Sequence, residues 1–118
     1  MQGRLSPLVD GKIQSFPWTS WQDELALAAR HDFHLLEWTL DQDRLHENPL
    51  LTAAGQSEIR RLCELHAIAI ASLTCDCFMQ APLWKADAAE LAARERDFLA
   101  VTDACAQLRI VLLVVPLV

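Results

Sequence analysis

Three short apolar runs, set between stretches of helical period, constrain this chain more than any other feature. Residues 33–38, 67–73 and 110–115 are compact and apolar, with Glu37 as the one charge near the end of the first run. Strands that stay apolar along their length are buried on both faces, which is the mark of a parallel sheet covered by helices. The intervening segments carry a period near 3.6. Trp21, Leu25, Ala28 and Ala29 recur over a helix running to about Arg30, with Thr19-x-x-Gln22 as its capping box. Ile59, Leu62, Cys63 and His66 form the stripe of a second helix over 56–66. Leu91, Phe98, Val101, Cys105 and Leu108 form that of a third over 85–108, with Arg94, Glu95, Arg96 and Asp97 on its wet face. Residues 1–5 read as a further short strand, stopped at Ser6-Pro7. The order is β-α-β-α-β-α-β, an α/β fold with four parallel strands and three helices.

Length and composition narrow the class. At 118 residues the chain makes one domain, spanning 1–118. With 53% hydrophobic and 22% charged residues it can build a core. Its net charge is -6, from 16 acids against 10 bases, and no basic block exceeds the pair Arg60-Arg61. That balance argues against nucleic acid or an anionic membrane as partner. Only 3 glycines are present, too few for an all-β fold of tight turns. The start lacks the pattern of a signal peptide, and the longest apolar run, 110–118, is far short of the ~18 residues of a membrane span. Cys63, Cys75, Cys77 and Cys105 sit inside apolar patterns, as reduced thiols of a cytoplasmic protein do. Cys75-x-Cys77 alone is a weak zinc signal, because no second Cys/His pair matches it.

Several stretches carry a family resemblance together: Met1-Gln2-Gly3-Arg4-Leu5-Ser6-Pro7, Phe16-Pro17-Trp18, Leu36-Glu37-Trp38, Asn48-Pro49-Leu50 and Thr74-Cys75-Asp76-Cys77-Phe78-Met79. In this order they resemble the N-terminal part of the sugar phosphate isomerase/epimerase family, the xylose-isomerase-like TIM barrels. The resemblance implies a (β/α)₈ barrel, which needs about 250 residues, so the chain supplies roughly half. Half a barrel has two free strand edges and an apolar inner face exposed to water. The expectation is therefore a truncated chain, inactive alone. The alternatives are a half-barrel completed by a second copy or a partner chain, or a non-catalytic interaction module. At the helix-to-strand joints, where glycine would suit a left-handed turn, stand Asp32, Ala67 and Leu108.

The barrel rule places ligands at the C-terminal strand ends. It selects Gln2 and Arg4 after the first strand, with the Arg4 guanidinium suited to a carboxylate or phosphate. After the second come Glu37, as acceptor for sugar hydroxyls or partner of Arg4, and Trp38, as a stacking wall or a core residue. After the third come Thr74, Asp76 and the pair Phe78-Met79, the latter an apolar lid or loop core. Trp18 and Trp21 read as packing, His66 as a core histidine, and His31, His34 and His46 as ungrouped. The resemblance implies a divalent metal such as Mn²⁺ or Mg²⁺, held by Glu, Asp and His on later strands, and a small sugar or sugar phosphate as substrate. No metal ligand and no acid/base catalyst falls on a residue of this chain. Abasic-site endonucleases share the fold, but the acidic balance argues against that chemistry.

Overall fold

The computed structural model describes residues 5–13 and 15–117. Helix α1 (Trp21–Arg30) leads into strand β1 (Leu35–Leu40). Two short 3₁₀ turns, Leu45–Glu47 and Pro49–Leu51, precede α2 (Ala53–His66) and β2 (Ala69–Cys75). A five-residue helix α3 (Asp76–Gln80), a third 3₁₀ turn (Leu83–Lys85), the long α4 (Ala88–Leu108) and β3 (Leu112–Val114) complete the order. The three strands form one parallel sheet in the order β1-β2-β3. The fourth strand expected over 1–5 lies outside the described residues except for Leu5, which is a bend and not a strand.

Register divides the sheet into two faces. Leu36 pairs with Ile70, Trp38 with Leu73, Leu40 with Cys75 and Leu113 with Leu73, so these side chains share one side. All belong to or pack on the single hydrophobic core, together with Leu25 of α1, Ile59 and Leu62 of α2 and Val101 of α4. Helices α1 and α2 pack together, as do α2 and α4, so all three cover that same side. A register shift between Leu36 and Glu37 leaves Ala71 unpaired and keeps the faces in phase. On the open side lie Leu35, Glu37, Thr39, Ser72, Thr74, Leu112 and Val114. This corrects the expectation of an apolar inner face: its centre is polar, and only its margins, Leu35, Leu112 and Val114, are exposed apolar residues.

Local chemistry explains where elements begin. Asp87 caps α4 through the Ala89 and Glu90 N–H groups, and Glu90 returns a bond to the Asp87 N–H, closing a capping box. The helix therefore starts three residues later than expected. Thr52 Oγ1 accepts the Gly55 N–H and starts α2 three residues early. For α1 the cap position is Ser20, without a side-chain bond, so the Thr19 capping box does not form. The expected wet face of α4 also divides. Arg94 binds the Pro82 carbonyl and Glu90, and Asp97 meets His46 at 2.7 Å, which ties the helix to its preceding loops.

One turn is used three times to pass from helix to strand. Asp32, Ala67 and Arg109 adopt left-handed φ values of 58°, 53° and 59°. The next N–H in each case reaches back to a helical carbonyl five residues earlier: Phe33 to Ala28, Ile68 to Cys63, and Ile110 to Cys105, at 2.9–3.1 Å. This is the Schellman arrangement with non-glycine residues at its strained position. Asp32 and Ala67 stand where expected. At the third joint the residue is Arg109, because α4 runs through Leu108.

Candidate functional site

The C-terminal ends of β1 and β2 open into a groove of about 650 Å³. Asp41, the residue directly after β1, and Asp76, directly after β2, line it with Met79 and Gln80 of α3. Its opposite wall is the loop before α1. There Asp10 and Gly11, with φ of 49° and 71°, form a tight turn closed by the Lys12 N–H on the Val9 carbonyl at 2.8 Å. The same loop brings Lys12, Phe16 and Trp18 to the groove, and Asp43 adds a further carboxylate.

Aromatic packing holds that loop to the sheet. Phe16 meets Trp38 at 5.4 Å and Trp18 at 4.9 Å, and Trp21 meets Trp38 at 5.7 Å. The Arg44 guanidinium lies 3.9 Å from the Trp18 ring centre, a cation–π contact, and donates to Glu47 at 2.8 Å. Beside them Glu24, buried on α1, accepts hydrogen bonds from the Leu5 and Ser6 N–H groups and from the Ser6 hydroxyl. The carboxylate thereby anchors the chain ahead of the loop.

The carboxylates differ in their commitments. Asp41 accepts the Gln80 amide N–H at 2.9 Å on Oδ1 and the Phe16 N–H at 3.4 Å on Oδ2. Gln80 in turn accepts the Gln42 N–H at 2.7 Å, so α3 and the end of β1 are pinned together. Glu37 takes the Ser72 hydroxyl at 2.7 Å and the Thr74 hydroxyl at 2.8 Å, one on each oxygen. Asp76 has no hydrogen bond or ion pair among the described residues. Burial raises its pKa first, and the charges of Asp41 and Glu37 add to the effect.

The expected site residues therefore separate. Glu37 and Asp76 face the same region, although Glu37 stands in the middle of β1 and not at its end. Thr74 joins them as a donor to Glu37. Trp38 is 4% exposed on the opposite, helix-covered side, and its indole N–H donates to Asn48 Oδ1 at 3.1 Å. It packs, and presents no stacking wall. Phe78, 1% exposed, packs 5.5 Å from Phe98 and forms core in place of a lid, while Met79 does line the groove. Arg4 and Gln2 lie outside the described residues. Trp21 packs as expected, His66 is half-buried, and Trp18 lines the groove.

Asp41, Gln80 and the loop residues Asp10 and Lys12 did not stand out in the sequence, and Phe16 did so only within Phe16-Pro17-Trp18. Asp41 had a readable signal: the strand runs to Leu40, two residues beyond the expected end at Trp38, and Asp41 follows it. Cys75, Cys77 and Cys105 are buried free thiols, and Cys63 is a half-buried one. The Cys75 thiol is held protonated, first by its contact with Cys77 and then by burial; burial alone raises Cys63 and Cys105. Among the described residues, no group of three or more His, Cys, Asp or Glu side chains could hold a metal ion. No described helix is long and apolar enough to cross a membrane.

The fold and groove define an α/β protein with a singly wound parallel sheet and a concave, acid-lined site at its strand ends. Comparison with protein-family models, with curated proteins and with solved structures returns no match.

Proposed function

We propose that this chain forms the opening βα units of a barrel like those of the xylose-isomerase-like sugar phosphate isomerases and epimerases, and that its groove positions a sugar or sugar phosphate. One observation carries the reading. Three sequential parallel strands have their covering helices on one side, and the C-terminal ends of the first two open on a groove lined by carboxylates. One half of a doubly wound sheet also has three sequential strands, but its next strand would reverse the order and bring helices to the other side. A barrel has the arrangement seen here, with ligands at these strand ends.

The chemistry of the groove suits hydroxyls. Asp76 is a free acceptor, Asp41 is oriented by Gln80, and Gln80, Lys12 and the Trp18 ring supply a donor, a cation and an apolar wall. These groups bind and orient. Moving a proton at a carbon beside a carbonyl needs a matched acid and base, and the reading assigns Asp41 and Asp76 to binding alone. Binding without turnover is the expected behaviour of this stretch.

The test is an amide and indole NMR titration of the chain with aldoses, ketoses and their phosphates at millimolar concentration. Shifts centred on Trp18, Asp76 and Gln80, and lost in Asp76→Ala, support the reading. No perturbation at the groove by any of these ligands would remove it.

A further inference from the structure

Resting on that reading, we infer that the groove selects an unphosphorylated sugar or polyol and rejects its phosphate ester. Four carboxylates among the described lining residues, Asp10, Asp41, Asp43 and Asp76, face one ammonium, that of Lys12. The nearby guanidinium of Arg44 is engaged by the Trp18 ring and by Glu47, so it offers no free fork to a phosphate.

Hydrogen-bond capacity points the same way. A sugar hydroxyl donates, and the groove is rich in acceptors: both oxygens of Asp76 are uncommitted, and those of Asp41 accept one bond each. A phosphate dianion only accepts, and would set two further negative charges beside carboxylates already close enough to oppose one another's ionisation. Helix α3 begins at Asp76 with only five residues, so it adds no anion-binding terminus of consequence. Phe16 and Trp18 line one wall of the groove and Met79 the other, so apolar surface flanks its carboxylates.

The probes are matched pairs: D-fructose against D-fructose 6-phosphate and D-ribulose against D-ribulose 5-phosphate, titrated without added metal at fixed ionic strength. The expected result is groove-centred binding of the free sugar, with the phosphate ester at least ~10-fold weaker. That gap should narrow in 0.5 M salt and in Asp43→Asn, because both reduce the negative field. A phosphate ester that binds the groove as tightly as its parent sugar overturns the inference and leaves the proposed sugar site standing. Binding by no member of either pair removes the proposed site and this selectivity with it. A gap that neither salt nor Asp43→Asn alters also overturns the inference, since shape and not charge would then set it.

Discussion

Asp76 shows how one side chain can be positioned and left unsatisfied. Its pKa is raised because burial and the charges of Asp41 and Glu37 disfavour its ionised form. A raised folded-state value means the native chain holds this proton more tightly than the unfolded one. The resulting stability is full below the unfolded carboxylate range and is lost as pH rises through the folded value. At pH 7 Asp76→Asn should therefore raise Tm by roughly 1–3 °C, a small effect because the group is partly hydrated. The two melting profiles should converge below about pH 4. Thermal melts across pH 3–8 check this, and a difference constant with pH would show that charge is not the cause. Asn48 is the opposite case. It is 2% exposed, and its Oδ1 accepts both the Trp38 indole N–H and the Leu50 N–H at 3.1 Å. Asn48→Ala leaves two donors dry and should cost about 2–4 kcal/mol by urea denaturation, with a shift in Trp emission. The Asn48-Pro49-Leu50 motif thus has a structural explanation. Gly55 shares it, because a Cβ there would stand 2.6 Å from the Pro49 carbonyl carbon.

At the level of elements, the repeated helix-to-strand turn carries a measurable strain. Ala67 is exposed, holds φ at 53° and makes its bond through the backbone, so its methyl group contributes only the left-handed penalty. Ala67→Gly should stabilise the fold by about 0.5–1 kcal/mol, net of the added freedom of the unfolded chain. A urea midpoint that falls in this variant would mean the turn differs from the one described. The same joints show how far the sequence is informative. Apolar runs and helical stripes located every described strand and the three long helices, because burial imposes period on many residues at once. Boundaries moved by two or three residues where a single cap decided them: Thr52 extends α2, Asp87 delays α4, and Leu40 extends β1. Such shifts matter for a site. A strand end placed at Trp38 hides Asp41, and a loop read at Asp76 hides α3, which puts Phe78 in the core and Gln80 beside Asp41. Glu24 was missed for a different reason. It lies on the buried stripe between Trp21 and Leu25, and its partners, Leu5 and Ser6, are 18 or 19 residues away. Periodicity carries no information on so distant a backbone contact.

For the molecule as a whole, the decisive property is that its core lies on one side of the sheet. Leu73, on the central strand, is wholly enclosed between the flanking strands and the helices, whereas Leu112, which pairs with the adjacent Ser72 and faces the other side, is 61% exposed. Val114 beside it is 46% exposed. Two leucines in the same sheet should therefore respond very differently to truncation. Leu73→Ala opens a cavity in the core and should cost about 2.5–5 kcal/mol. Leu112→Thr keeps a strand-forming residue at a wet position and should fall within about 0.5 kcal/mol of the parent. Urea denaturation at two protein concentrations separates the possibilities. If the Leu112→Thr change is near zero at both, the sheet has one dry side in the working molecule, and the polar group of Glu37, Ser72 and Thr74 is open to a ligand approaching from the other. If the cost approaches that of Leu73→Ala and grows with concentration, that face is covered by another copy, and Glu37 lies within an interface. The second outcome would move the open face of the sheet from water to protein. It would leave the groove at the strand ends, and hence the sugar titration, as the independent measure of function.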